Sequence, residues 1–191
     1  GVGTPTAMKA VMVVIMAHAF YKAALFLIVG IVDHATGTRD LMSLGGLARH
    51  MPVSAILATI AALSMAGLPP LFGFLAKEKA IDSVLGWDAT SLWAIVGPLA
   101  VVVAAIWSVA YSILLVYGIF LGKERSTPRR PHEAPLGMLV APAVLAILSV
   151  LSVWPPLREL SAVLLGEAAG VAQVKTAQLD LELWHGVNLS L

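Results

Sequence analysis

The sequence predicts an all-α, polytopic integral membrane protein with about five transmembrane helices, one of them broken, and a C-terminal helix lying on the membrane interface. Three observations carry that expectation. Of 191 residues, 59% are apolar and only 12% charged, with a mean hydropathy of +0.91, whereas a water-soluble surface carries about 25–35% charged side chains. The apolar residues gather into blocks approaching the roughly 20 residues that a spanning helix needs. One pair of blocks is interrupted by Pro69, Pro70 and Gly73, a turn or two before Lys77.

The blocks run approximately from Ala7 to Val32, Pro52 to Gly67, Pro69 to Leu85, Ser91 to Leu121 and Leu136 to Val153. The second and third are short and joined through Pro69-Pro70. Together they are too long for one straight crossing, so they read as two short spans. The fourth is longer than a bilayer requires and must tilt or project, with Trp87 and Trp93 flanking its start as interfacial aromatics. From Pro155 to Gln173, Leu157, Leu160, Val163 and Leu164 alternate with Arg158, Glu159 and Glu167 at helical spacing, the pattern of a helix on the interface. The chain therefore divides into a transmembrane domain over 1–153 and an external interfacial segment over 154–191.

The loop from Lys123 to Glu133 is the most basic connection, which places it in the cytoplasm. Alternation across five spans then puts Asp33 to His50 outside, the Pro69-Pro70 junction near the cytoplasmic side, and everything after Trp154 outside. The start, Gly1 to Thr6, lacks the charged-then-apolar order of a signal peptide, and the expectation is an interior piece of a longer polytopic chain.

Several chemistries are excluded. The chain has no cysteine, hence no disulfide, thiolate chemistry or Cys-based metal site. A net charge of +1 without a basic patch argues against a nucleic-acid partner. His132, Glu133 and His185 lack metal-ligand spacing, and no phosphate-binding glycine loop or nucleophile elbow occurs. No metal and no cofactor are expected.

The remaining candidates are ionisable groups in apolar segments. An ammonium within a spanning segment is costly, which makes Lys77 a functional-site hypothesis, and the interrupted helix beside it points the same way. In the first block, His18 and Lys22 lie four residues apart on one helix face, with Lys22 roughly 20 Å along the span. The bland alternative is a histidine bonded to a neighbouring helix and a lysine reaching the interface. Desolvation and a neighbouring carboxylate pull a lysine's protonation in opposite directions, so a buried lysine can answer a small change in local field. Histidine can relay protons between such stations. Tyr21, Thr59 and Ser64 are candidates for ordering water, with helix packing as the alternative. Glu78 can partner Lys77 only if the helix is broken there, because adjacent side chains leave a regular helix about 100° apart. Asp33, His34, Arg39 and Asp40 around Thr36-Gly37-Thr38 read first as a solvated loop, with an ion entry or subunit contact as the alternative. Met8, Met12 and Met16 form a packing stripe.

Two stretches carry a resemblance. His18-Ala19-Phe20-Tyr21-Lys22-Ala23-Ala24-Leu25-Phe26-Leu27 and Ala66-Gly67-Leu68-Pro69-Pro70-Leu71-Phe72-Gly73-Phe74-Leu75-Ala76-Lys77-Glu78 resemble the proton-translocating antiporter-like family, which includes large subunits of Mrp-type cation/proton antiporters and membrane-arm subunits of respiratory complex I. Gly30 to Asp40 and Leu183 to Asn188 look most like the A-type subunits of the Mrp branch. The resemblance implies the C-terminal portion of a fourteen-helix core, starting near its tenth helix. It implies that Lys22 is a central channel lysine, His18 its relay histidine, and Lys77 the lysine of a broken twelfth helix. Position 14 is Val where relatives often carry a further histidine, and the family's first repeat is absent. The implied function is a proton-translocating subunit of a multisubunit Na⁺/H⁺ antiporter, with other membrane subunits, protons, Na⁺ or another monovalent cation and the lipid bilayer as partners, in the cell membrane. A proton-pumping subunit of complex I or a related membrane hydrogenase is the runner-up, and a non-conducting scaffold subunit is the reading from another class.

Overall fold

The computed structural model describes residues 5–85 and 92–155, together with residues 157, 159, 160 and 163. Among them there are helices and connections but no strand. In chain order they are α1 (Pro5–Thr36), α2 (Pro52–Ala66), α3 (Phe72–Leu85), α4 (Trp93–Val116) and α5 (Leu136–Leu151). A short 3₁₀ turn, Leu47–Arg49, precedes α2, and α4 is prolonged by a π-helical turn, Tyr117–Leu121.

The start and stop of α2 follow from its end residues. Pro52 opens it at a position where a missing amide proton is harmless. Gly67 closes it at φ +80, a left-handed conformation that favours glycine, with its amide bonded to the Leu63 and Ser64 carbonyls. Pro69 and Pro70, joined by a cis bond, cannot continue the helix. The chain turns through 67–71 and becomes helical again at Phe72.

The direction of α3 is fixed by two neighbours of α2. Gly73 donates its amide to the Ser64 hydroxyl at 3.2 Å, and the Lys77 ammonium donates to the Ala66 carbonyl at 2.6 Å. As α3 advances from 73 to 77, its partners on α2 advance from 64 to 66. The two helices therefore run the same way and overlap by about one turn, rather than folding back as a hairpin. α1 receives them in sequence along its length. Its C-terminal half, including Ala24, Ile28, Ile31, Val32 and Ala35, shares a core with Ala55, Ala58, Ala61, Ala62 and Met65 of α2. Its N-terminal half, with Val13 and Ala17, packs on Phe72, Leu75 and Ala76 of α3, and Phe20 meets Phe72 at 6.1 Å between ring centroids.

The expected count of five spans is not confirmed: α2 and α3 are the two halves of one broken helical run, and among the described residues two helices, Ala7–Thr36 and Trp93–Leu121, are long and apolar enough to cross a membrane on their own. The apolar stretch from 52 to 85 is longer than a single crossing because a turn of chain is spent sideways at the break. That lateral step is invisible to a count of apolar residues. The Pro69-Pro70 junction consequently lies part-way along the broken run, between α2 and α3, with both prolines exposed on the side of the bundle. Since α1 leads directly into the broken pass, it stands one place before it, which does not fit a tenth helix followed by a broken twelfth.

The two long loops, expected on opposite faces, are not separated. The segments 37–51 and 122–135 pack together at one end of the bundle. Arg129 donates its amide to the Thr36 carbonyl at 3.0 Å, and His50 Nε2 lies 3.0 Å from Glu124 Oε1. Arg125 reaches the carbonyls of Leu41, Met42 and Leu44. Gly45 and Gly46 allow this approach: a Cβ on either would collide with backbone at Lys123 or Glu124. The interfacial helix and the segment over 154–191 lie almost wholly outside the described residues, as do Trp87 and the Leu183 to Asn188 stretch.

Candidate functional site

The site is assembled at the break. The last turn of α2 presents carbonyls that no further helical turn can satisfy. Ala66 is one of them, and its oxygen accepts from Lys77 Nζ. The Ser108 hydroxyl of α4 is the second partner of the ammonium, at 2.5 Å, while itself bonding the Ala105 carbonyl at 2.8 Å. The lysine stem crosses Gly67 so closely that a Cβ there would meet the Lys77 Cδ and Cε atoms. A half-buried cation is therefore held between a helix C-terminus and a hydroxyl, two groups that solvate an ammonium without neutralising it.

Ser64 anchors the overlap. It is fully buried and accepts hydrogen bonds from the Gly73 amide and from the Ser149 hydroxyl of α5, the latter at 2.7 Å. Gly73 is required here, since a Cβ would run into the Ser64 carbonyl group. Ser64, expected to order water, instead ties three helices at the break.

Higher along α1, Lys22 places its ammonium 5.0 Å from the centroid of the Tyr111 ring on α4, a cation–π arrangement. His18 stacks edge-on against Tyr21 at 5.5 Å. His18 and Lys22 share a face of α1, and that face is open: Ile15, His18, Phe26 and Gly30 along it are exposed. Thr59 bonds its own helix at the Ala55 carbonyl, 2.7 Å away. Glu78 follows Lys77 within an uninterrupted helix, because the break falls before Phe72. The condition for a direct Lys77–Glu78 pairing is therefore not met, and the two hydrogen bonds of the Lys77 ammonium go to α2 and α4.

Sequence reasoning missed Ser108, Tyr111 and Ser149. A signal for the first two existed: Ser108, Tyr111 and Ser112 stand at i, i+3 and i+4 in a helix otherwise nearly all apolar. It also missed Glu133, whose carboxylate accepts from the Val53 amide at 2.7 Å, the Ser54 amide at 3.3 Å and the Ser54 hydroxyl at 2.6 Å. Among the described residues no cluster of His, Cys, Asp and Glu has a metal-holding arrangement.

The structure thus holds a broken helix with a lysine beside the break, packed on a helix that carries a second lysine, in an all-helical fold. The chain belongs to the family described as NADH:quinone oxidoreductase/Mrp antiporter, TM, whose model matches residues 1–120. It is 38% identical over 179 residues to the A1 subunit of the Na(+)/H(+) antiporter of Staphylococcus haemolyticus, covering 90% of this chain and 22% of that protein. It is 37% identical over 191 residues to the A/B subunit of a probable K(+)/H(+) antiporter of Rhizobium meliloti, covering 99% of this chain and 19% of that one. The chain thus spans about a fifth of the length of these relatives. Among solved structures, it resembles a chain of an archaeal membrane-bound sulfane sulfur reductase, with a TM-score of 0.71 and 30% identity over 83% of this chain and 26% of that one. A chain of the Mrp complex from Dietzia shares the fold, with a TM-score of 0.73 at 24% identity over 88% of this chain and 38% of that one.

Proposed function

We propose that this chain is part of the proton-translocating subunit of a multisubunit monovalent cation/proton antiporter in the cell membrane, and that Lys77 is its principal protonation site. The observation that carries the reading is the cradle of Lys77: a carbonyl and a hydroxyl at a helix break solvate the ammonium, yet neither fixes its charge. Such a lysine can gain and lose a proton in place. Lys22 and His18 form a second station on α1, with Tyr21 against His18 and Glu78, next to Lys77, as secondary groups. The A-type subunits among the relatives support assembly with other membrane subunits. The relatives carry Na(+) in one name and K(+) in another, so the cation is a monovalent one, with Na⁺ the first candidate.

The likeness to a respiratory membrane reductase supports a second reading, a proton-pumping subunit of a complex I-like assembly. Both readings place the loop end of the bundle in the cytoplasm. Arg39, Arg49, Lys123, Arg125, Arg129 and Arg130, six of the 12 Lys and Arg, gather there.

The test is cation-driven pH change in vesicles carrying the assembled complex at matched amounts. Lys77→Ala abolishes exchange while the complex stays near normal abundance. Lys77→Arg is also poor, since a guanidinium does not release its proton at physiological pH. An arginine variant that transports like wild type makes Lys77 a fixed charge and overturns the mechanism. Transport unaffected by neutralising Lys77, Lys22 and His18 together identifies a scaffold instead.

A further inference from the structure

We propose that Glu133 is a positioning residue for Lys77, acting along α2 from the opposite end of that helix. The inference rests on the reading of Lys77 above and extends it to a loop residue. Helix α2 supplies no side-chain cap of its own: Met51 stands at the N-cap without a side-chain bond, and Pro52 has no amide proton. The acceptor comes instead from Glu133, about 80 positions later, through the Val53 and Ser54 amides and the Ser54 hydroxyl. At the far end, the Ala66 carbonyl accepts from Lys77. A carboxylate thus sits on the positive end of the α2 dipole and an ammonium on the negative end, the favourable sense at both. Between them α2 is a stiff rod of about 22 Å, buried through Ser54, Ala58, Ala61, Ala62 and Ser64.

Small residues on that buried face let α2 sit close to its neighbours, but they provide few large knobs to fix its axial position. The two charged ends do so. Glu133 fixes where the helix starts, and therefore where the Ala66 oxygen lies relative to Lys77. Because Glu133 belongs to the loop that also carries Arg125 and Arg129, what that loop contacts is transmitted to the lysine.

The experiment uses the assembled complex in vesicles and compares Glu133→Gln, Glu133→Ala and Glu133→Ala with Val53→Asp. Val53 is half exposed in the first turn of α2, so an aspartate there returns negative charge to the helix end without restoring the loop contact. Loss of a charge-assisted cap lowers the maximal exchange rate of Glu133→Gln about tenfold. The half-saturating cation concentration is unchanged, because Glu133 does not touch the ion. Val53→Asp recovers at least about half of the rate lost in Glu133→Ala. A residue that merely holds the loop is not rescued in this way, and failure of rescue overturns the proposal, as does a wild-type rate for Glu133→Gln. If Glu133→Gln does not assemble, Glu133→Asp keeps the charge but shortens the reach, and a wild-type rate there also overturns it. Lys77→Ala in the same vesicles separates the two questions: an active Lys77→Ala variant refutes the role of the lysine, whereas an inactive one beside an unaffected Glu133→Gln refutes only the present inference.

Discussion

Ser149 donates its hydroxyl proton to Ser64 across 2.7 Å, joining α5 to the last turn of α2 where both residues are buried. The same Ser64 oxygen receives the Gly73 amide, so one hydroxyl serves both the neighbouring helix and the chain beyond the break. Ser64→Ala leaves two donors without an acceptor in a dry interior, at a cost of about 1–2 kcal/mol. Ser149→Ala leaves the Gly73 bond in place and costs less, about 0.6 kcal/mol. Thermal melting of the detergent-solubilised complex compares the two, and equal losses refute the shared-acceptor arrangement.

Glycine substitutions separate the break from the rest of the bundle. Gly73→Ala forces a methyl group onto the Ser64 carbonyl, which is backbone and cannot step aside. The expected loss is at least about 1–3 kcal/mol, accompanied by loss of exchange. Gly30→Ala and Gly137→Ala meet open space, and as helical positions they gain up to about 1 kcal/mol. The three melting temperatures decide it.

Both long loops must be reached from the same side of the membrane. Met42 and Ser126 are exposed at that end, and Leu85 is half exposed at the other. In a complex freed of other thiols, Met42→Cys and Ser126→Cys react with an impermeant reagent from one face of sealed vesicles, and Leu85→Cys from the opposite face. Labelling of Met42→Cys and Ser126→Cys from opposite sides contradicts the in-line arrangement of α2 and α3.

Tyr111 is expected to matter as a ring and not as a hydroxyl. Tyr111→Phe keeps the aromatic face under Lys22 and retains exchange. Tyr111→Leu removes an attraction of about 0.5–2 kcal/mol. A double-mutant cycle with Lys22→Gln measures that coupling directly, and a coupling near zero removes Tyr111 from the site.

The loop clasp is sensitive to acid. The hydrogen bond and charge of His50 hold the Glu124 carboxyl below its ordinary value of 4.5. A carboxyl lowered on folding contributes stability above its ordinary value and loses it as the pH falls through the folded value. The difference in melting temperature between wild type and Glu124→Gln therefore shrinks as pH is taken from about 5 to about 3. A difference independent of pH in that range assigns the contact no electrostatic weight.

The helices and the break were legible because apolar block length, Pro69-Pro70 and Gly73 act locally. The sequence marked Lys77, Lys22 and His18 for the same reason: an ionisable group in an apolar run is conspicuous wherever it ends up. What could not be read was how the chain steps sideways at the break. Two short helices in line and two in a hairpin have the same composition, and the difference resides in tertiary bonds such as Ser64 to Gly73. The wrong choice put the earlier loop, Asp33 to His50, on the opposite face from the Lys123 to Glu133 loop. Partners contributed from afar, Ser108 for Lys77 and Glu133 for α2, were hidden likewise, since serine in an apolar helix and glutamate in a basic loop each look ordinary until the fold brings them to a helix end.

Lys77 lies beside Ala66, about 21 Å along the broken pass from Pro52, with about 12 Å of α3 still to run. It therefore stands roughly two-thirds of the way through the pass when measured from the loop end. In electrical terms, a proton reaching it from that end falls through a large share of any voltage across the membrane, worth about 1.5 kcal/mol at 100 mV if the field is uniform, against about 0.8 kcal/mol for the remaining distance. With Lys77 as the protonation site proposed above, the two sides would load the same lysine at unequal cost, and a membrane potential alone would bias the side from which it is protonated.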